Sequence, residues 1–176
     1  TLSGLTATDK VYDGRTDVVN VTGWGSAPTG VGSEVLALTH NAASLDSANT
    51  GARTVTVTNY ALADGSNGAL ASNYVLTGGT TLTTNINIAK ATLTVHAKDD
   101  AKFVTTQDAN GYAGVGYSGF VNGETVSVVS GSASVSRSNA SVNASGSYSG
   151  VLVPNVSGLS ATNYDFVAAN GNYTIV

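Results

Sequence analysis

The chain has 176 residues, 21 of them Gly, with 10% charged side chains, a formal net charge of −4, no Cys and no Met. That composition excludes a disulfide scaffold, a thiolate metal site and a Cys nucleophile. Seven scattered Lys and Arg against eleven Asp and Glu argue against nucleic acid as a partner. No run approaches the roughly 18 apolar residues of a spanning helix, so no membrane insertion is expected. No secretory leader is visible, so any export signal is expected outside this segment.

Along the chain the hydrophobic period is two almost everywhere. Lys10-Val11-Tyr12-Asp13-Gly14 reads as a strand end running into a turn, with Tyr12 sealing a core and Asp13-Gly14 supplying a positive φ. Trp24, the sole Trp, lies between Gly23 and Gly25 in a segment that reads as a loop. Ser33 to His40 has the outline of a short capped helix, but the preceding Gly32 and the Thr-rich context favour a strand. Thr54-Val55-Thr56-Val57-Thr58 alternates hydroxyl and apolar side chains, as a half-buried strand does. Asn85-Ile86-Asn87-Ile88, Leu93-Thr94-Val95, Thr125-Val126-Ser127-Val128 and Ala133-Ser134-Val135-Ser136 repeat that pattern. Gly, Asn, Asp and Ser clusters separate these β-branched runs. The fold class is all-β.

Self-comparison divides the chain in two. Ala71-Ser72-Asn73-Tyr74-Val75-Leu76 recurs as Ala161-Thr162-Asn163-Tyr164-Asp165-Phe166, and Gly32-Ser33-Glu34-Val35 as Gly123-Glu124-Thr125-Val126. Thr1-Leu2 matches Thr92-Leu93, and Asn85-Ile86 matches Thr174-Ile175. The period of roughly 90 residues suits a small sandwich and far exceeds that of a solenoid repeat. Two tandem β-sandwich-like modules, 1–89 and 90–176, follow, of immunoglobulin-like or grasp-like strand order. Strand-like alternation crosses the join near Ala89-Lys90, which predicts a stiff connection.

Lys10-Val11-Tyr12-Asp13-Gly14, with Thr54-Val55-Thr56-Val57 and Ala71-Ser72-Asn73-Tyr74, resembles the YDG module. Lys102-Phe103, Tyr117-Ser118-Gly119-Phe120-Val121-Asn122-Gly123-Glu124 and Asn172-Tyr173-Thr174-Ile175 make the second copy similar to the MBG module. The second copy carries Phe103-Val104-Thr105-Thr106 where the commoner MBG form has a Tyr-Gly pair. The resemblance implies a tandem within a large secreted bacterial surface protein of the filamentous-haemagglutinin or biofilm-matrix adhesin type. A Cys-free chain fits that implication, since a disulfide would obstruct transit through an outer-membrane pore.

Candidate chemistry is sparse. His40 and His96 fall in different copies, and neither a Gly-x-Ser-x-Gly elbow nor a His-Glu-x-x-His pattern is present, so no enzyme is expected. Asp9, Asp13 and Asp17 cluster in the first copy, and Asp99, Asp100 and Asp108 in the second. Ca²⁺ is the ion that such oxygen donors would take, although neither spacing fits an EF-hand, and solvated turns are the simpler reading. Lys10, Lys90, Lys98 and Lys102 raise the alternative of Lys–Asn crosslinks assisted by Glu34 or Glu124, against a plain strand-edge role for the two glutamates. Trp24, with Tyr112 and Tyr117 as weaker cases, could stack on a sugar, making a host glycan or biofilm polysaccharide the candidate ligand. The rival for Trp24 is an indole folded over its own module's edge. Tyr12, Asp13, Gly14, Asn73, Tyr74, Asn163 and Tyr164 read as structural. The function expected is a non-enzymatic stalk module at the bacterial surface, with adjacent modules of the same chain as partners.

Overall fold

Alternating Thr and Val, and Asn and Ile, leave one face of a run to be buried, and among the described residues the first unit has eight strands. These are β1 (Ser3–Ala7), β2 (Lys10–Val11), β3 (Val21–Ser26), β4 (Val35–Thr39), β5 (Ser44–Leu45), β6 (Gly51–Val57), β7 (Ala61–Ser66) and β8 (Leu82–Ala89). The computed structural model describes residues 1–26 and 30–176, which divide into two units, Thr1–Ala89 and Lys90–Val176. In the first unit the main sheet has the order β2-β8-β6-β5, beside two ribbons, β1-β3 and β4-β7. The β6–β8 register is unbroken from Gly51 opposite Ile88 to Val57 opposite Leu82. It puts Val55, Val57, Ile86 and Ile88 in the core, while Asn85 and Asn87 face solvent.

The second unit contains β9 (Ala91–Ala97), β10 (Asp100–Lys102), β11 (Val115–Ser118), β12 (Ser130–Gly131), β13 (Ser134–Arg137), β14 (Gly146–Asn155), β15 (Leu159–Ser160), β16 (Tyr164–Ala169) and β17 (Gly171–Ile175). Its sheets are β10-β17-β14-β13 and β11-β9-β16, with a β12-β15 ribbon. Ala97, Leu152, Tyr173 and Ile175 form a buried cluster, against which Tyr112, Val135, Tyr148 and Val151 pack. Both units are thus β-rich throughout, as the alternation requires.

Ser33 to His40 contains strand β4. Two local expectations are corrected. Thr125 to Val128 forms no strand; Val126–Val128 is a 3₁₀ turn whose preceding Thr125 accepts the Ser127 N–H through its side chain. That local bond gives the backbone an alternative to a ladder, and Val126 and Val128 remain exposed. Trp24 lies within β3 rather than in a loop. Its flanking glycines reflect close approach. A Cβ at Gly23 would sit 2.6 Å from the Thr6 hydroxyl, and Gly25 combines a φ of +95° with the Leu82 side chain 2.9 Å from the Cβ position.

The terminal strands of the second unit run parallel in one register. Ala91 to His96 stand opposite Tyr164 to Ala169, and Asp100 to Lys102 opposite Tyr173 to Ile175. The offset is the same on both sides of the intervening break. Lys90 therefore leads in at one pole of this unit, while Val176 leaves at the other. The first unit has a shorter version: Lys10–Val11 pair in parallel with Ile88–Ala89, and the Leu2 N–H reaches the Thr77 carbonyl at 3.3 Å towards the other pole.

Candidate functional site

The repeated glutamates and tyrosines meet in the same way in both units. The Tyr74 hydroxyl donates to the Glu34 carboxylate and accepts the Val31 N–H at 2.9 Å. The Tyr164 hydroxyl donates to the Glu124 carboxylate and accepts the Val121 N–H at 3.0 Å. Each ring is thus a post that ties a Gly-containing turn to the strand region following the Asn-Tyr pair. Glu34 and Glu124 carry this contact instead of a mere strand-edge role. The Glu34 hydrogen bond raises the Tyr74 pKa, whereas burial is the first cause for Tyr164, followed by its bond to Glu124. The Tyr164 ring is buried and meets Phe120 edge-on at 5.8 Å.

The densest charged arrangement is in the second unit. Arg137, at the end of β13, has a side chain only 1% exposed. Its Nε and Nη2 donate to Asp108 at 2.9 and 3.1 Å. Its remaining donor capacity goes to the carbonyls of Asn139, Ala140 and Val142 at 3.1, 3.2 and 3.0 Å, and to the Asn139 side chain. The guanidinium also lies 4.9 Å from the centre of the Tyr173 ring. Lys102 approaches Asp108 at 3.1 Å, and the Tyr112 hydroxyl donates to it at 3.0 Å. Burial pushes the Asp108 carboxyl up, but hydrogen bonds from Arg137, Lys102 and Tyr112 outweigh it and hold the group at about 2. Tyr173 is pushed up to about 12, chiefly by burial and then by the charges of Asp108 and Asp100.

Asp99, Asp100 and Asp108 have separate partners. Among the described residues no three His, Asp or Glu side chains come together. Asp108 is neutralised by Arg137 and Lys102. Asp99 accepts the Asn172 backbone N–H at 2.7 Å and its side-chain amide at 3.3 Å, and Asp100 accepts the Ala101 N–H at 2.8 Å. A shallow polar groove of about 360 Å³ is lined by Asp99, Ser147, Tyr148, Ser149, Asn172 and Thr174, and Asp99 is exposed. In the first unit Asp9 accepts the Asn87 N–H, Asp13 pairs with Lys10, and Asp17 with Arg15. The ammonium groups of Lys10, Lys90 and Lys102 face carboxylates and carbonyls.

Trp24 stands opposite Leu5, so its indole projects on the core side of the β1–β3 ribbon. It stacks on His40, with centroids 4.6 Å apart and planes at 15°, and His40 in turn meets Tyr60 at 5.1 Å. The Tyr60 hydroxyl donates to the Trp24 carbonyl. At 41% exposure the indole caps this edge while keeping part of its surface in water. The Tyr112 ring is half-buried and packs edge-on against Tyr173 at 5.6 Å. Tyr117, on β11, is half-buried with its ring 6.3 Å from Phe120. Thus Trp24 lies in one unit and Tyr112 and Tyr117 in the other.

The YDG tripeptide ends β2. Tyr12 is buried, Asp13 accepts the Arg15 N–H at 3.0 Å, and Gly14 adopts a φ of +74°. Asn73 closes a 3₁₀ turn over Ala71–Asn73 ahead of Tyr74, and the Asn163 carbonyl accepts the Ala91 N–H at 3.0 Å before Tyr164 begins β16. Arg137 escaped sequence reasoning: a lone Arg among Ser and Asn reads as solvated. Its one sequence signal is its place at the end of an alternating run, on the face that Val135 shares.

Two all-β units, each with a parallel pairing between an early and a late strand and a Tyr–Glu post, define a tandem of related domains. The first unit matches the YDG domain over residues 1–84, and the second the MBG domain (YGX type) over residues 93–174. The chain therefore carries these two domains in tandem. The second match holds although Phe103-Val104 stands where a Tyr-Gly pair is commoner. No curated protein and no solved structure matches the chain.

Proposed function

We propose that the chain is a non-enzymatic, adhesin-like spacer segment of a large secreted bacterial surface protein, in which neighbouring modules of the same chain are its partners. The YDG–MBG tandem supports the adhesin-like reading. The observation that carries the spacer role is the parallel pairing of early with late strands in each unit, which leads the chain in at one pole and out at the other. Domains wired this way extend a chain when repeated. Domains whose ends emerge together do not. Residues 91–102 of the second unit span about 40 Å at ordinary strand rise. A single residue, Lys90, separates β8 from β9.

The buried charges agree with a mechanical role, since Arg137 and Asp108 are fully engaged in holding loops. Small-angle scattering of the 176-residue chain tests the proposal. Two spans of about 40 Å in series give a radius of gyration of about 23 Å or more, whereas a compact chain of this size has about 16 Å. The lower value would overturn the spacer reading.

A further inference from the structure

The single register of the second unit's terminal strands has a mechanical meaning. Tension applied between Lys90 and Val176 pulls β9 towards one pole and β17 towards the other. Neither loaded strand is at a sheet edge: β9 lies between β11 and β16, and β17 between β10 and β14. The force therefore acts along the strands and strains their cross-strand hydrogen bonds together, rather than opening them one after another. The pairing extends almost from end to end. The Ala91 N–H bonds the Asn163 carbonyl at one extreme, and the Val176 N–H bonds the Lys102 carbonyl at the other. Beyond that, the Val104 N–H bonds the Val176 carbonyl at 2.9 Å. At the break in the ladder, Asp99 substitutes its side chain for the missing strand contact by accepting both Asn172 donors.

The first unit is wired in the same sense but held by less. Its parallel ladder covers only Lys10–Val11 against Ile88–Ala89, extended by the Tyr12 N–H to the Ala89 carbonyl, the Asn87 N–H to the Asp9 carboxylate and the Leu2 N–H to the Thr77 carbonyl. Its leading strand β1 pairs in a two-stranded ribbon with β3 alone. We propose that the second unit is a shear clamp that resists tension along the chain, and that the first unit is the weaker link, which opens first and lengthens the chain under load. The proposal rests on the spacer reading only for the source of the tension. A failed force experiment would leave a spacer that bears no load, and a failed scattering experiment would leave a strong clamp in a chain that is not a spacer.

The test is single-molecule force spectroscopy on the full chain. Because the chain has no Cys, one introduced thiol is a unique handle. With handles at Lys90→Cys and the C-terminus, only the second unit is loaded, in shear. With handles at Thr105→Cys and the C-terminus, the same unit is loaded across the Lys102–Ile175 end of the pair, which peels it bond by bond. Both positions are exposed. Rupture force is expected to be roughly threefold or more higher in the first geometry, at matched loading rate. Equal forces would overturn the clamp. Pulling the unsubstituted chain from its two ends should give two events, each releasing about 25–30 nm of contour. The weaker, earlier event should vanish with the Lys90→Cys handle. Loss of the stronger event instead would overturn the ranking of the two units.

Discussion

Replacing Asp108 by Asn removes a negative charge from a site built around a buried guanidinium. Folding lowers the Asp108 pKa from 3.8 to about 2. At 1.36 kcal/mol per unit this gives about 2 kcal/mol of stability in favour of the ionised folded form. Because the folded value is depressed, the contribution is complete above the unfolded pKa and is lost as pH falls through 3.8 towards 2. Asp108→Asn also leaves Arg137, 1% exposed, facing carbonyls and amides alone. Breaking a buried pair from one side costs about 3–5 kcal/mol. The variant should therefore be about 3 kcal/mol less stable at pH 7, and the gap should shrink to about 1 kcal/mol at pH 2, where the native carboxyl is itself half protonated. Urea unfolding of the full chain reads this with an internal control. The sole Trp lies in the first unit, so its fluorescence transition should stay in place while the second-unit component of the far-UV circular dichroism moves. A gap below about 0.5 kcal/mol at pH 7, or one independent of pH, would refute the reasoning.

The matching Tyr–Glu posts should respond unequally. Tyr164→Phe should cost about 2 kcal/mol in thermal or urea unfolding and Tyr74→Phe clearly less, because the first leaves a polar partner facing a buried ring and the second acts at a more accessible site. Gly65→Ala should destabilise the first unit by about 3 kcal/mol or more, read as an early Trp fluorescence transition, since its Cβ would lie 1.7 Å from the Val35 carbonyl oxygen. Asp99→Ala should lower the melting temperature of the second unit by about 5–10 °C, through loss of both Asn172 contacts, and leave that of the first unchanged.

Strand content and duplication were legible because both are periodic. Val55 and Val57, and Ile86 and Ile88, alternate with polar partners as a one-sided sheet demands, and the two Asn-Tyr pairs fall at matching places. The Glu34 and Glu124 correspondence was legible too, but their partners were not, since each tyrosine hydroxyl lies 40 residues away along the chain. Trp24 misled through its glycines, which signal a loop in sequence and close strand packing in space. Thr125 to Val128 misled through alternation alone, because a side-chain bond to the Ser127 N–H decides the backbone there. The Arg137–Asp108 pair left no pattern because its members are 29 residues apart and neither residue type signals burial.

The parallel register also sets an order of events when the chain first folds. Asp99 is 73 residues from the Asn172 that it binds, and the first strand of the second unit waits for almost the last. Contacts this distant are slow to form, because the intervening loop must close before any ladder bond repays its entropy. A chain emerging from its N-terminal end would thus carry β9 and β10 without their β16 and β17 partners until residues 164–175 appear. During that interval the exposed strands are open to mispairing. Thr92 and Thr94 on the leading strand keep one of its faces hydroxylated, which limits how much apolar surface is presented before the closing strand arrives.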